Sequence, residues 1–295
     1  MKRGKELAIG VDIGGTKTRV SICDRSGHIK KKNVKKTGKP AEVVSLIKNI
    51  VSRDRSKKSD IKGIGIGSVG PLDLSKGSIV NPTNLPNWNK VPIVNMVQES
   101  LGLPVYLDND ANVAALAESE FGVGSDNLIY ITVSTGIGGG IISEGKLVHG
   151  KGNAGEVGHM KLIPYGPLCN CGNRGCLEAI SSGTAISKKG EEKLGVKEPK
   201  KIFELAREGN QLAVNIIDGA SFYLGIGIAN LVEIIDPEYV ILGGGVMESW
   251  DQMKDKVKST VESNSRNSVK ITLTSLGSEI GILGASLLPF IENAQ

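Results

Sequence analysis

The stretch Val11-Asp12-Ile13-Gly14-Gly15-Thr16-Lys17-Thr18 decides the fold. It joins the apolar run Glu6 to Val11 to the alternating run Thr18 to Cys23, so it reads as a hairpin turn between two strands. A P-loop requires a lysine before its Ser/Thr and a helix after it. Thr16 stands where that lysine belongs, and the residues after Lys17 alternate as a strand does. Gly14 and Gly15 are expected to take positive φ, letting backbone N–H groups face an anion with no Cβ between. Thr16 and Lys17 add a hydroxyl and a cation. Asp12 would repel phosphate directly, which suits it to Mg²⁺ reached through water.

The same layout returns further along. Leu128 to Val133 reads as a strand, Ser134-Thr135-Gly136 with Gly138 to Gly140 as a turn, and Gly140 to Ser143 as a strand again. A third glycine run, Gly243-Gly244-Gly245, comes after the apolar strand Tyr239 to Leu242. One such loop is a plain hairpin as readily as a phosphate site; three after buried strands favour a nucleotide. Gly65-x-Gly67-x-x-Gly70 satisfies the dinucleotide spacing, but Pro71-Leu-Asp-Leu-Ser-Lys-Gly after it is turn chemistry, not a helix start. Helices are expected from Glu42 to Ser52, opened by Pro40, from Pro92 to about Leu101, over Ala111 to Phe121, and over the long Gln211 to Ile235. The duplication predicts two α/β domains facing each other across a cleft. Residues 1–112 form the smaller, 113–279 the larger with the cysteine-rich loop, and a terminal helix within 280–295 returns to pack on the first.

The chain has 295 residues, 39% hydrophobic and 23% charged, an ordinary globular composition. Its net charge of +5 is uneven: six lysines fall between Lys30 and Lys39, with Arg53, Arg55, Lys57 and Lys58 after them. No aromatics interleave with these charges to stack bases, so a solvated surface is expected and no nucleic-acid partner. No apolar run is expected to reach the ~20 residues of a membrane span, and the N-terminus shows no signal-peptide pattern. The expectation is a cytoplasmic protein with no membrane partner, in which four cysteines are not a disulfide framework.

Three of those cysteines lie close together as Cys169-x-Cys171-x4-Cys176, with His159 ten residues before the first. Three thiolates and an imidazole make a closed tetrahedral site, which is structural because no position remains for water. Asn170, Gly172, Asn173 and Gly175 are small enough to wrap a metal. A reactive dithiol or three buried thiols are the alternatives; Cys23, in an alternating strand, reads as core.

Leu107-Asp108-Asn109-Asp110-Ala111-Asn112 comes after a buried strand and opens a helix. One Asp or Asn would serve as an N-cap; four polar residues in five exceed that need. Phosphoryl transfer to a hydroxyl calls for a carboxylate that accepts the alcohol proton. Asp110 is the candidate, with Asp108 as a cap or turned into the protein. Glu156 and Glu178 flank the cysteine cluster, and their carboxylates suit adjacent sugar hydroxyls.

Taken together, Val11 to Thr18, Leu107 to Glu118, Thr135 to Gly140, Gly155-Glu-Val-Gly-His159 and Cys169-Asn-Cys-Gly-Asn-Arg-Gly-Cys-Leu-Glu178 resemble the ROK family of sugar kinases, in order along essentially the whole chain. The resemblance implies an actin-like ATPase (ribonuclease H-like) fold with two lobes around a cleft. It implies Asp110 as catalytic base, with Gly70, Asn84, Asn109, Glu156, His159 and Glu178 at the sugar. It also implies structural Zn²⁺ on His159, Cys169, Cys171 and Cys176, and ATP with Mg²⁺ as cofactors. Donor phosphates would meet Asp12, Gly14, Gly15, Thr16, Lys17, Thr135 and Gly136, and adenosine Gly243, Gly244 and Gly245. Family members commonly form homodimers or homotetramers. Asn81-Pro-Thr-Asn-Leu-Pro-Asn-Trp88 most resembles the glucokinases of the family. The expected activity is therefore ATP-dependent phosphorylation of the glucose 6-hydroxyl, with N-acetylmannosamine or N-acetylglucosamine kinase as the alternative and fructokinase a third. A non-catalytic sugar sensor is the rival class. The first strand begins by about residue 6, which argues against the helix-turn-helix of the family's repressors.

Overall fold

The computed structural model describes residues 6–53, 58–82 and 85–291. The chain divides into two compact units, one of Met1–Gly124, Gly150–Gly152 and Ser275–Gln295, the other of Ser125–His149 and Asn153–Thr274. The border expected at residue 112 falls inside a helix that belongs whole to the first unit, since helices pack as rigid bodies and this one is buried along most of its length. Arg55, Lys57 and Asn84 lie outside the described residues.

In the first unit, β1 (Leu7–Ile13), β2 (Lys17–Asp24) and β3 (Ile29–Lys36) form an antiparallel meander; α1 (Pro40–Ser52) then leads to β4 (Ile61–Ser68). A small hairpin of β5 (Leu72–Asp73) and β6 (Ser78–Ile79) precedes α2 (Ile93–Leu101), β7 (Val105–Asn109) and α3 (Asp110–Phe121). The sheet order is β3-β2-β1-β4-β7, with β1, β4 and β7 parallel. β1 is buried at nearly every position and reads as a continuous apolar run, as a strand covered on both faces must. β3 lies at the edge and carries the lysines. Val43, Leu46, Ile47 and Ile50 of α1 are its buried face, the stripe that the sequence spacing predicts.

The C-terminal helix, Ile280–Ile291, packs on β1 and β4 and against α3. Glycines let its backbone approach. A Cβ at Gly10 would lie 2.0 Å from the Ile282 carbonyl oxygen, and one at Gly65 1.8 Å from that of Ala285. From the helix side, a Cβ at Gly284 would lie 1.7 Å from the Val113 carbonyl oxygen of α3. Each glycine costs about 0.5–1 kcal/mol of backbone entropy. Burying Ile282, Leu283, Leu287 and Leu288 at about 1.5–3 kcal/mol each outweighs that.

The second unit repeats the arrangement. β8 (Leu128–Val133), β9 (Ile137–Ser143) and β10 (Lys146–Leu147) form the meander; α4 (Leu177–Ser181), α5 (Gly183–Leu194), α6 (Pro199–Arg207) and α7 (Gln211–Ile235) come next. Then β11 (Tyr239–Gly243), α8 (Lys254–Asn264) and β12 (Lys270–Leu273) complete the sheet, in the order β10-β9-β8-β11-β12. Position for position this is the first sheet's order, with β8, β11 and β12 parallel. Contrary to expectation, α7 is long and apolar enough to cross a membrane by length and composition, with mean hydropathy 1.5 over its most apolar window. Ile216, Ile217, Leu224, Ile228 and Val232 of this helix lie in the second unit's core, which accounts for its apolarity.

The close approach at Gly65 predicts that Gly65→Ala, which sets a Cβ against a helix backbone that cannot yield, lowers stability by about 1–3 kcal/mol. A fall in urea midpoint with unchanged slope is the expected outcome.

Candidate functional site

Parallel register brings three chain segments to one edge of the first unit. Ile13 pairs with Ser68 and Ser68 with Asn109, so β1, β4 and β7 end at the same level. The glycine turn, Gly70 and Asp110 all emerge there, at the carboxyl ends of parallel strands where α/β ligand sites sit.

The turn is closed by the Gly14 N–H, which donates to the Lys17 carbonyl at 3.1 Å. Contrary to expectation, neither Gly14 nor Gly15 takes positive φ. A Cβ at Gly14 would lie 3.2 Å from the Lys17 carbonyl oxygen, a tight contact that a shift of a few tenths of an ångström would relieve. Thr37, which sequence reasoning missed, pins the turn: its hydroxyl donates to the Gly14 carbonyl at 2.7 Å and its N–H to the Thr16 carbonyl at 3.0 Å. Asp12 accepts from the Arg19 guanidinium at 2.9 Å. Burial pushes the Asp12 carboxyl above the usual range, and Arg19 pulls against that shift.

At the end of β7 the polar residues divide their work. Asn109 is the N-cap, its side-chain oxygen accepting the Ala111 N–H at 2.8 Å. Asp108 is buried and accepts both the Asn109 N–H at 2.7 Å and the Asn112 side-chain amide at 2.8 Å. Asp110 stands half-buried at the first position of α3, one oxygen on the Ala111 N–H at 2.9 Å. Gly70 lies beside Asn109, where a Cβ would meet the amide nitrogen at 3.6 Å.

In the second unit, the Ser134 N–H closes its own turn on the Gly136 carbonyl at 2.8 Å. Gly243 pairs with Thr132, so the Gly243 to Gly245 loop leaves β11 beside that turn. Gly244 has φ 92°, and a Cβ there would lie 2.4 Å from the Val133 carbonyl oxygen. A cavity of about 550 Å³ opens between the two loops, lined among others by Thr135, Thr184, Lys200, Arg207, Gly245 and Glu248. That volume is within the range of small-molecule sites. The start of α5 is held to the turn: the Gly183 N–H donates to Ser134 at 2.8 Å and the Thr184 hydroxyl to Thr135 at 2.7 Å.

The ligand atoms of His159, Cys169, Cys171 and Cys176 lie within 4.8 Å of one another. Cys169 Sγ is 3.8 Å from His159 Nδ1, and Cys171 Sγ is 3.7 Å from Cys176 Sγ. Zn–S bonds of about 2.3 Å in a tetrahedron give S···S edges of about 3.8 Å, whereas a disulfide holds sulfurs at about 2.05 Å. The donor set fits Zn²⁺ and not a disulfide. Burial pushes the Cys169 thiol up to about 12, while the Asn173 backbone N–H brings Cys171 down to about 7. Turning Nδ1 to the sulfurs leaves His159 Nε2 facing Glu156, 3.8 Å from Oε2. Glu178 reaches the second turn: its Oε2 accepts the Ile137 N–H at 3.0 Å, and its Oε1 lies 3.7 Å from Cys169 Sγ. Cys23 is buried in β2 beside Ser21, a core position as expected.

Residues 8–290 match the ROK family. The chain belongs to the ROK family. A glucokinase of Halalkalibacterium halodurans is 34% identical over 310 residues, 95% of this chain and 94% of the relative. The crystal structure of a ROK hexokinase from Thermus thermophilus superposes with TM-score 0.86 at 34% identity, covering 98% of this chain and 99% of that one. A ROK glucokinase from Streptomyces griseus, in complex with glucose and AMPPNP, gives TM-score 0.78 at 33% identity, covering 96% and 98%. The fold of this ROK chain is the actin-like ATPase fold that its sequence resemblance implies.

Within the first ROK unit, Gly14 to Lys17, Gly70, Asn109 and Asp110 come to one edge; within the second, Thr135, Gly136 and Gly243 to Gly245 do, and His159 joins the three cysteines. Asn84 lies outside the described residues. Thr184, Lys200 and Arg207 escaped sequence reasoning because no motif marks α5 or α6. The small-residue start Ser181-Ser182-Gly183-Thr184, where a Cβ at Gly183 would come 2.7 Å from Ser134 O, is the signal that could have found the first of them.

The ligand cluster predicts about one zinc per purified chain. Cys176→Ser is expected to lose the metal on elemental analysis and to melt at lower temperature. Full zinc content in that variant would remove Cys176 from the ligand set.

Proposed function

We propose that this chain is an ATP-dependent hexose kinase that transfers the γ-phosphoryl group of ATP to the 6-hydroxyl of glucose. The observation that carries the reading is the division of labour at β7: Asn109 caps and Asp108 is bonded inward, leaving Asp110 as the half-exposed carboxylate at the strand's carboxyl edge. In the reaction Asp110 accepts the proton of the 6-hydroxyl, the sugar oxygen forms a bond to the γ-phosphorus, and the bond to the departing ADP oxygen breaks. Gly70, Asn84, Asn109, Glu156 and His159 hold the sugar. Glu178 joins them with the lone pairs that the Ile137 N–H leaves free. The second-unit cavity takes the adenosine, beside Gly243 to Gly245, and the two glycine turns take the phosphates. Asp12 would reach the hydration shell of Mg²⁺ bound with ATP, which would supply charge neutralisation at the transferring phosphates. His159 and the three cysteines would hold Zn²⁺, which supplies a rigid wall for the sugar rather than a reacting group. A nucleotide substrate and three metal-poised thiols suit the reducing cytoplasm.

The glucokinase relatives favour glucose over N-acetylmannosamine and N-acetylglucosamine. A coupled assay of ADP release against these three sugars and fructose is expected to give glucose the highest kcat/KM. Preference for N-acetylmannosamine or N-acetylglucosamine would move the assignment to that sugar, and absence of turnover with every sugar would leave a sensor. Asp110→Asn is expected to lower kcat by about 10²–10⁴-fold, the range of general-base catalysis, while glucose binding by calorimetry stays within a few-fold. Undiminished turnover would dismiss Asp110 as the base.

A further inference from the structure

We propose that Lys36, acting with Lys17, is a second cation gripping the phosphate tail of the donor at the first glycine turn. The inference rests on the nucleotide-dependent reading above and adds a donor-binding residue to it. β2 and β3 pair so that Lys17 stands directly across from Lys36, which puts both side chains on one face of the sheet at the turn. Like charges in directly opposed antiparallel positions destabilise a sheet. Among the described residues neither lysine has an acidic partner, and both are exposed.

Neighbouring cations differ. One register step away on the same face, Arg19 lies across from Val34, and its charge is met by Asp12 at 2.9 Å. Lys31 donates to the Arg53 carbonyl at 2.7 Å, and Lys32 is paired with Glu279. Lys35 lies across from Thr18, on the opposite face from Lys36. Arg19 and Lys32 are thus met by carboxylates, whereas Lys17 and Lys36, directly opposed on one face beside the turn, are not.

The pair sits on a rigid support. Immediately after Lys36, Thr37 is bonded to Gly14 and Thr16. The Gly38 carbonyl accepts the indole N–H of Trp88, a fully buried side chain, at 3.0 Å. Exposed lysines on an edge strand ordinarily guard against strand addition, a task that does not require two of them to face each other. A polyphosphate tail carries several adjacent anionic oxygens, and it would turn the repulsion between these lysines into two charge-assisted contacts.

The test compares Lys36→Gln, Lys36→Arg and Lys35→Gln in the full-length protein, reading KM for ATP and for glucose and, without turnover, the Kd of ATP and of tripolyphosphate. Lys36→Gln is expected to raise the ATP KM and both Kd values about three- to tenfold and to leave the glucose KM unchanged. The ligand-free variant should melt no lower than the parent, since a repulsion has been removed. Lys36→Arg should restore binding, and Lys35→Gln should leave it intact. Unchanged Kd values in Lys36→Gln, or an equal loss in Lys35→Gln, would overturn the proposal. A protein that phosphorylates no sugar yet binds tripolyphosphate through Lys36 would overturn the kinase reading and keep this one.

Discussion

Parallel register at the ends of strands is the constraint on which the candidate site depends. Ile13, Ser68 and Asn109 are fixed side by side by ladder hydrogen bonds, and a slip of one residue would turn every side chain to the other face. With that register, the glycine turn, Gly70 and the Asp110 carboxylate leave the sheet at one edge. Asp108 locks the last of them, because a single buried oxygen receives both the Asn109 N–H from the strand end and the Asn112 amide from the first helical turn.

In each sheet the register survives because both faces are covered. The first is pressed by a helix that glycines allow to approach to backbone contact, at Gly10 and Gly65 on the strands. The second unit uses the same device at its metal segment, where a Cβ at Gly158 would lie 2.1 Å from the Ile137 carbonyl oxygen. Ile137 is held twice over, since its N–H is taken by Glu178 from just beyond the cysteine cluster. The Cys3His cluster, Glu178 and the second glycine turn therefore share one small hydrogen-bonded region. Glu178 touches both the cysteine loop and the turn.

Electrostatics obey the same economy. Asp12 has its guanidinium and Asp108 its amides, so these buried carboxylates are satisfied by fixed partners. At the first turn the directly opposed Lys17 and Lys36 have no acidic partner among the described residues.

The sequence by itself determined the elements and their chemistry. Period-two and period-3.6 patterns carry strand and helix type, the repeated strand–glycine–strand blocks carry the duplicated sheet, and Cys169-x-Cys171-x4-Cys176 with His159 carries the ligand set, because all of these are local. What the tertiary structure decided was non-local. That the turn closes without positive φ at Gly14 or Gly15 depends on Lys17 and on Thr37 just beyond β3. That Asn109 caps while Asp108 turns inward depends on Asn112 one helical turn on. The end of the first unit after α3, the cavity wall on α5 and α6, and the meeting of Lys17 with Lys36 depend on packing and pairing between distant segments, which no single stretch of sequence encodes.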